Sequence, residues 1–507
     1  MFPVVPPTQM CSNTRNIKPK TLMDLPMDIL VDILMKLQPA IESLSQFRCV
    51  SKTALNFIDS PFFAQLHTSR LLNSAASCAA TVQVPQLILL AEFDGPNLKT
   101  EIGLQLHPFK YTPDARHDDT SAIVFKHALP NWKISCGAFQ YDVSFVFCNL
   151  IGFKAKFTSS SSCYLFDALR GEVLQLPLLP LVLRNPSPFN TSSYTLTWYG
   201  MGFDNISCTY KIVCVSTWSI REDLEAHVYT LGASATTSSW RQIHSVPPRV
   251  LSYKNVSAYG DMHWFIYPSQ SQKRSHSNHA ESCIISFDFK KEEFVWTSHP
   301  NLHGFVSLLF DMHLLNLRGS LAIVDFSDHG SDYGDEKYVD IWVLKDYSKK
   351  KKEWTMDYKI KTPRILTISI SAIGEWEHGI FFTCYNFPDC YFLDLRNKSA
   401  LLRSFSSYKD NYWGGKRKTR MIMYSYTKSL ISLKNYGNLL ERKRMCKWAV
   451  FEAAKTSATR FFEAAKTSPW GIFEAAKTNA QAFSEATSMW HFETLRQNDY
   501  QQKKIMK

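Results

Sequence analysis

The sequence predicts a mainly β protein with a small α-helical unit near its N-terminus and a helical tail near its C-terminus. Three observations carry this prediction. Apolar helical segments are concentrated between Leu22 and Thr68. Short β-branched and aromatic runs, separated by turn residues, fill residues 83–433, and an eleven-residue repeat follows. Short strands at such regular spacing are typical of sandwiches, barrels and propellers.

These differences in residue pattern divide the chain into five parts. We expect a disordered N-terminus at residues 1–20, the helical unit at 21–68, a linker at 69–84, a β-propeller-like domain at 85–435 and the repeat tail at 436–507. A composition of 45% hydrophobic and 14% aromatic residues over 507 positions allows a large core.

The sequence also predicts a soluble, intracellular protein. The first twenty residues lack the apolar segment of a signal peptide, and no run approaches the roughly 18 apolar residues that span a bilayer. Twelve cysteines are scattered without a Cys-x-x-Cys pair, so we expect reduced, buried thiols. We expect the cytoplasm, the nucleus or both, and we predict no metal and no cofactor.

The first predicted helix is apolar on more than one face. Seven of the nine residues in 29–37 are apolar, whereas a surface helix usually has one apolar stripe of about 100°. Pro26 marks the start of this helix, a second helix follows Pro39, and a third ends at Ser60-Pro61. Three short helices provide only about 3–5 kcal/mol of core stability. Their spare apolar surface predicts a partner.

The helices contain a series of short motifs in a fixed order. These are Leu25-Pro26, Ile29-Leu30, Ile33-Leu34, Ser43-Leu44, Phe47-Arg48-Cys49-Val50-Ser51-Lys52 and Ser60-Pro61-Phe62. Their order and spacing resemble the F-box of plant F-box proteins. The sequence departs from the family pattern at the Gln38-Pro39 turn and at Ala54, where the family usually has tryptophan.

The resemblance implies that the partner is a Skp-type linker protein, and through it a cullin. The apolar contacts would provide burial and Arg48 a polar contact at the rim. The predicted linker contacts are Leu25, Pro26, Ile29, Leu30, Ile33, Leu34, Leu44, Phe47, Arg48 and Val50.

The middle of the chain reads as a succession of short strands. About 350 residues are too many for one sandwich, whereas four-stranded blades of about 40–50 residues give a propeller of about seven blades. The best predicted strands are residues 86–93, 162–166, 210–217, 226–231, 262–267, 282–289, 321–326, 340–344, 379–384 and 390–395.

Two local patterns recur in this region. A strand ends in an aromatic or aliphatic residue followed by aspartate, as in Phe166-Asp167, Phe287-Asp288 and Leu393-Asp394, and a polar turn follows. In a related pattern a tryptophan, Trp240 or Trp354, returns just after the turn. We expect these tryptophans to cover the edge between neighbouring sheets.

These patterns resemble the F-box-associated domain, whose blades are similar to degenerate kelch repeats. The resemblance implies a β-propeller that binds a target protein, and it says little about which one. The segments that carry it are residues 199–204 with 210–213, 258–264, 340–344 with 354–355, and 426–433.

Catalytic motifs are absent from the sequence. It has no Gly-x-Ser-x-Gly, Walker loop or His-Glu-x-x-His. His263, beside Trp264 in a predicted strand, is best interpreted as a core histidine with satisfied hydrogen bonds. The net charge of +12 is concentrated in late basic runs, of which Lys349–Lys352 is predicted to be a solvated hairpin turn rather than a nucleic-acid contact.

The C-terminal tail repeats Phe-Glu-Ala-Ala-Lys-Thr every eleven residues, starting at Phe451, Phe462 and Phe473. Eleven residues are close to three helical turns, so the phenylalanines recur on nearly one face. This face is a candidate docking or self-association surface, although a duplicated tail without a dedicated role explains the same pattern.

The function implied by the resemblance is that of a non-catalytic, substrate-recognition adaptor of an SCF (Skp-cullin-F-box) ubiquitin-protein ligase. The F-box would bind the Skp-type linker, and the propeller would bind the target protein. The main alternative is a propeller-type carbohydrate- or protein-binding module that acts without the ligase. A propeller enzyme and a nucleic-acid binder remain further alternatives.

Overall fold

The computed structural model describes most of the helical unit and of the β-domain. Phe451, Phe462 and Phe473, the Lys349–Lys352 run and the predicted Gln38-Pro39 turn lie outside the described residues. The described residues are 25–36, 44, 47–75, 85–94, 100–107, 132–135, 141–155, 163–167, 169–180, 196–217, 224–232, 239–266, 284–300, 312–326, 337–347, 353–362, 370–376, 378–384, 390–396, 402–405, 412–413 and 416–440.

Three helices precede the β-domain: α1 (Met27–Lys36), α2 (Lys52–Ile58) and α3 (Pro61–Ala75). The third predicted helix corresponds to α2. Helix α3 begins at Pro61 and continues into the segment predicted to be a linker, residues 69–84, so it is an element that was not predicted. Within the described residues, no helix combines the length and the hydropathy needed to cross a membrane.

The described strands form five four-stranded blades and a closing sheet of five strands. Blade 1 contains β4 (Tyr141–Phe147), β5 (Leu150–Ala155), β6 (Cys163–Asp167) and β7 (Glu172–Gln175). Blade 2 contains β8 (Leu196–Asp204), β9 (Thr209–Thr217), β10 (Glu225–Thr230) and β11 (Arg241–Ile243). Blade 3 contains β12 (Leu251–Ala258), β13 (Asp261–Ile266), β14 (Ile284–Asp288) and β15 (Glu293–Thr297).

Blade 4 contains β16 (Met312–Leu317), β17 (Ser320–Asp325), β18 (Lys337–Asp346) and β19 (Glu353–Thr362). Blade 5 contains β20 (Ile370–Trp376), β21 (Gly379–Cys384), β22 (Cys390–Asp394) and β23 (Leu402–Phe405). The closing sheet has the order β24 (Tyr412–Trp413), β25 (Lys416–Tyr426), β1 (Gln86–Asp94), β2 (Thr100–His107) and β3 (Trp132–Ser135).

The prediction of a mainly β, propeller-like domain is confirmed, and the predicted count of about seven blades is wrong. The first strands of successive blades contact one another in the order β4, β8, β12, β16 and β20, and β25 contacts both β20 and β4. The closing sheet thus completes the ring. Within it β1 pairs with β25, antiparallel, with Gln86 opposite Tyr426. The two termini of the domain therefore share one sheet, which leaves fewer blades than length alone suggested.

The ring has two distinct ends. The inner strands begin at one end, which we call the mouth end, and finish at the other, which we call the helix end. The backbone N–H of Phe203, near the finish of β8, donates to the carbonyl of Gly260, just after β12, at 3.3 Å. Trp198 and Tyr253, near the starts of the same two strands, stack at 5.9 Å. Neighbouring inner strands therefore run in the same direction.

The recurring aspartates build the turns at the helix end. Oδ1 of Asp167 accepts from the backbone N–H groups of Leu169 and Arg170, and Oδ1 of Asp288 accepts from those of Lys290 and Lys291. An aspartate that bonds its own backbone two residues on closes a turn without help from another strand. This is the physical reason for the repeated pattern in the sequence.

The recurring tryptophans connect adjacent blades, as predicted. Nε1 of Trp240, beside β11 of blade 2, donates to the carbonyl of Pro177, just after β7 of blade 1, at 2.7 Å. Nε1 of Trp354 in blade 4 donates to the carbonyl of Ser298, just after β15 of blade 3, at 2.6 Å. Each indole thus joins an outer strand to the preceding blade.

Candidate partner-binding surfaces

Local capping defines the starts of α2 and α3. Oγ of Ser51 accepts from the N–H of Ala54 at 3.0 Å and caps α2. Oγ of Ser60 accepts from the N–H of Phe63 at 3.2 Å, and Pro61 occupies the first position of α3, where a missing N–H costs nothing. The Ser60-Pro61 pair therefore ends one helix and starts the next, and this starting signal was overlooked in the sequence.

The helices form a small core that includes the β-domain. Its buried members are Leu30, Leu34, Leu44, Ile58, Phe63, Ala64 and Leu430. Leu430 follows β25, so the segment that leaves the propeller completes the core of the helical unit. The helices alone do not enclose this core.

The ten residues predicted to contact the Skp-type linker protein divide into three groups. Leu30, Leu34 and Leu44 are buried in the core just described. The half-buried group is Ile33, Phe47 and Arg48, and the exposed group is Leu25, Pro26, Ile29 and Val50.

Helix α1 therefore has two apolar stripes. Leu30 and Leu34, four residues apart, face the core, whereas Ile29 and Ile33, also four residues apart, form an outward stripe, and Leu25 is exposed just before the helix. Ile29 is 46% exposed and Val50 is 72% exposed. The sequence predicts that this helix must be covered on more than one side. The chain itself covers the side that carries Leu30 and Leu34. We call Leu25, Ile29, Ile33 and Val50 the outward apolar surface.

Arg48 has its charge partner within the chain. Its Nη2 donates to Oδ2 of Asp59 at 2.8 Å, and its Nε lies 2.8 Å from Oδ1. The carboxylate of Asp59, at the end of α2, also accepts hydrogen bonds from Nη1 of Arg170 at 3.3 Å and from Nζ of Lys434 at 2.9 Å. Nδ2 of Asn435 donates to the backbone carbonyl of Asp59 at 2.9 Å. This cluster joins the helical unit to blade 1 and to the segment after β25.

The charges around Asp59 keep it ionised. Burial raises the pKa of Asp59, but the hydrogen bonds from Lys434 and Arg48 and the charge of Arg170 outweigh burial and hold the pKa below its ordinary value. The carboxylate is nearly buried, whereas its cationic partners are partly exposed. One anion thus holds cations from three separate parts of the chain.

A second contact fixes α3 on blade 2. The hydroxyl of Tyr210 donates to the carbonyl of Ala64 at 3.1 Å, and it lies 2.8 Å from Oγ1 of Thr68. Because Tyr210 uses its own proton on the carbonyl, Thr68 donates to Tyr210. Both side chains are fully buried. The helical unit and the propeller therefore share buried hydrogen bonds as well as an ion cluster.

Of the residues that form these two contacts, only Arg48 was predicted as a site residue. Asp59 is 111 residues from Arg170 and 375 from Lys434, and Thr68 is 142 from Tyr210. No local pattern relates residues at such separations. The tight turn after Asp167, which places Arg170, was the only available signal.

His263 is a core histidine, as predicted. The ring is fully buried, with Nε2 3.1 Å from the carbonyl of Ala258 and Nδ1 2.6 Å from Oγ of Ser286. Since a carbonyl only accepts, Nε2 carries the proton and Nδ1 accepts from Ser286. Oγ of Ser286 lies 2.6 Å from Oγ1 of Thr297, which continues the chain. This histidine connects three strands of blade 3.

Comparison with known proteins agrees with this architecture. Residues 154–375 match the family model described as "F-box associated beta propeller domain". This part of the β-domain is therefore similar to the F-box-associated propeller, and the chain resembles plant F-box proteins.

Three relatives from Arabidopsis thaliana illustrate the similarity. F-box protein At5g65850 is 25% identical over 76% of this chain and 85% of its own length. F-box protein CPR1 is 24% identical over 67% of this chain and 74% of its own length, and putative F-box protein At1g53370 is 25% identical over 69% and 79%. Among solved structures, a chain of a nidogen/laminin complex matches 67% of this chain and 98% of its own length at 12% identity, with a TM-score of 0.34, too low to support an argument.

Proposed function

We propose that this chain is the target-recognition subunit of an SCF ubiquitin ligase. In this proposal the helical unit binds a Skp-type linker protein, which connects it to a cullin, and the propeller binds the protein to be modified. The chain itself performs no chemistry. The F-box relatives and the F-box-associated propeller support this assignment.

The observation that carries the proposal is the outward apolar surface. Ile29 and Ile33 recur at helical spacing on the side of α1 that faces away from the core, Leu25 is exposed just before the helix, and Val50 is largely exposed. Burying such a side chain is worth about 1.5–3 kcal/mol each. A surface helix with a second apolar stripe gains this free energy only when another molecule covers it.

The mechanism follows from proximity. A subunit that holds both the ligase and the target converts an encounter between two proteins into an intramolecular one and raises the effective concentration of the target lysines. The buried contacts at Asp59 and Tyr210 support this role, because they fix the outward apolar surface relative to the propeller.

The decisive experiment changes the outward apolar surface without touching the core. Ile29→Asp and Val50→Asp place a charge on side chains that are already exposed, so the fold should persist. We expect each variant to lower co-purification with a Skp-type linker at least about tenfold, since charge at the centre of an apolar interface typically costs more than 1.4 kcal/mol.

The matched control is Met356→Asp. Met356 is about as exposed as Ile29 but lies on β19, at the outer edge of blade 4. This variant should bind the linker as well as the unmodified chain. Undiminished linker binding by both Ile29→Asp and Val50→Asp would contradict the proposal, and equal loss in the Met356 variant would show that general destabilisation caused the effect.

A further inference from the structure

The segment that follows the propeller leaves it beside the helical unit. Leu439 pairs with Leu174 of β7 in an antiparallel bridge. The backbone N–H of Leu440 donates to the carbonyl of Val173 at 2.9 Å. Since β7 begins just after the turn that carries Arg170, an antiparallel neighbour of β7 runs back towards that turn. The chain beyond Leu440 therefore starts at the helix end of the propeller, on the outer edge of blade 1.

This exit lies close to the outward apolar surface. Asn435 donates to the backbone carbonyl of Asp59, and Leu440 follows Asn435 by five positions. At about 3.6 Å per residue, five residues span at most about 18 Å. Asp59 in turn holds Arg48, which is two residues before Val50 of the outward apolar surface. A short length of chain is therefore enough to reach this surface from Leu440.

The first copy of the tail repeat is within that reach. Phe451 lies eleven positions after Leu440. An unstructured chain of this length has a root-mean-square end-to-end distance of about 18 Å and a full extension of about 40 Å. Such a tether gives the phenylalanine an effective concentration of about 1 mM at the surface. A second copy of the chain reaches this concentration only in a very concentrated solution, so the chain's own tail is the favoured occupant.

The tail sequence supplies an apolar face of large and small residues. Phe451, Ala454, Ala458 and Phe462 recur at spacings of three and four residues. A helix places residues with this spacing on one side. At 1.5 Å per residue the two phenylalanines of such a helix are about 16 Å apart, and the alanines lie between them.

Helix α1 matches this face in length. Its ten residues extend over about 15 Å, and Ile29 and Ile33 form the ridge on its outward side. The distance between two packed helices depends on the side chains at their contact. The alanines of the tail therefore leave room for the two isoleucines, and one phenylalanine is available for each end of α1.

We propose that the tail covers the outward apolar surface of its own chain when no other protein occupies it. Phe451 and Phe462 pack around Ile29 and Ile33, and the Skp-type linker displaces them when it binds. The tail thus regulates access to the helical unit. This regulation rests on the proposed function, whereas the docking of the tail does not.

The first test is hydrogen exchange on the full chain without its linker. A tail that binds its surface with an affinity of about 100 μM keeps it about 90% covered at an effective concentration of about 1 mM. In the double variant Phe451→Asp/Phe462→Asp, amides of α1 should therefore exchange up to about tenfold faster. The matched control is Phe473→Asp, because Pro469 ends the predicted helix before this phenylalanine. The control should leave α1 unchanged.

The second test supplies the face of the tail as a separate molecule. A labelled peptide of residues 447–468 should bind the Phe451→Asp/Phe462→Asp chain, whose own tail no longer competes. Fluorescence anisotropy should show about tenfold weaker binding of this peptide to the unmodified chain. Adding Ile29→Asp to the double variant should abolish peptide binding. Adding Met356→Asp, at a similarly exposed position on blade 4, should leave it unchanged.

Three outcomes would overturn the inference. They are equal α1 exchange in the double variant and the unmodified chain, peptide binding that survives Ile29→Asp, and α1 exchange that rises as much in Phe473→Asp. A dimer of the unmodified chain that separates in the double variant, seen by light scattering, would also overturn it, because the tail would then cover a second copy.

Linker binding is measured separately and distinguishes the two proposals. The Phe451→Asp/Phe462→Asp chain should bind a Skp-type linker about tenfold more tightly than the unmodified chain, and equal affinity would overturn the regulatory step. A chain whose α1 protection depends on the two phenylalanines but which binds no linker loses the proposed function and keeps the docking of the tail. A chain that binds the linker through Ile29 but shows no such protection loses only the present inference.

Discussion

Asp59 and Lys434 lie 375 residues apart in the sequence, and their side chains meet at 2.9 Å. Asp59 ends helix α2, and Lys434 belongs to the short segment that follows the last strand of the propeller. The same carboxylate holds Arg170 of the turn between β6 and β7. The helical unit is thus attached to blade 1 and to the segment that follows the last strand of the propeller.

The first prediction concerns this carboxylate. Asp59→Asn keeps the size of the side chain but leaves Arg48, Arg170 and Lys434 without their shared anion. Removing one partner of a buried ion cluster is costly, but two of these cations are about one third exposed, so we expect a loss of about 1–3 kcal/mol. The loss should be local, because the propeller has its own core.

Hydrogen exchange measures this effect. Amides of α2 and α3 should exchange faster in Asp59→Asn, while amides of blades 3 and 4 keep their protection. The control is Asp357→Asn, which removes an exposed pair with Lys345 in blade 4 and should change neither region. Unchanged exchange in α2 and α3 would show that the ion cluster does not hold the helical unit in place.

Much of the fold could be predicted from the sequence because its signals are local. The alternation of strand residues and turn residues gave strands such as β9 and β21 nearly to the residue. The repeated aspartates accept hydrogen bonds from the backbone of the turns that follow them. The tryptophans recur at the same place in their blades. These features depend on neighbours within about ten positions, and such neighbours are visible in a linear chain.

The blade count and the attachment of the helices depended on distant residues and were not predicted. Gln86 and Tyr426 face each other in the closing sheet, and dividing the length by a blade size could not reveal that both ends share one sheet. The role of Gly202 also depends on a residue distant in the sequence. A Cβ there would lie 2.1 Å from the Phe289 ring, so the glycine permits the close approach of blades 2 and 3, and the sequence showed only that a glycine was present.

The second prediction concerns the contact between blades 1 and 2. Trp240→Phe removes the donor to the carbonyl of Pro177 and leaves that oxygen without its indole partner. We expect the free energy of unfolding to fall by about 1–3 kcal/mol, measured by urea denaturation with linear extrapolation. Trp296→Phe is the control, because Trp296 is 48% exposed, and its effect should stay within about 0.5 kcal/mol. Equal effects of the two substitutions would mean that the inter-blade bond adds nothing.

The last prediction concerns a buried acid between blades 4 and 5. Oε2 of Glu375 accepts from the backbone N–H of Arg318 at 2.8 Å, and the side chain is almost fully buried. Burial raises the pKa of Glu375 to about 7, although the hydrogen bond and the charge of Arg318 oppose this shift. The folded protein therefore binds this proton more tightly than the unfolded chain does.

The sign of the pH dependence follows from this difference. Between about pH 4.5 and 7 the folded state holds more protons at Glu375, so this group lowers stability as the pH rises. Glu375→Gln keeps an acceptor for Arg318 and abolishes the titration. We expect the variant to match the unmodified chain near pH 4.5 and to exceed its stability by up to about 3 kcal/mol at pH 8.

Thermal unfolding at a series of pH values checks this expectation, with exposed Glu353→Gln as the control. Only the difference between the Glu375 variant and the unmodified chain should grow with pH, because Asp167 and Asp261, whose pKa values are also raised by burial to about 7, titrate in both proteins. A constant or shrinking difference would mean that Glu375 is charged in the folded state. Its bond to Arg318 would then hold an ionised carboxylate between the blades, and Glu375→Gln would weaken that contact instead of strengthening it.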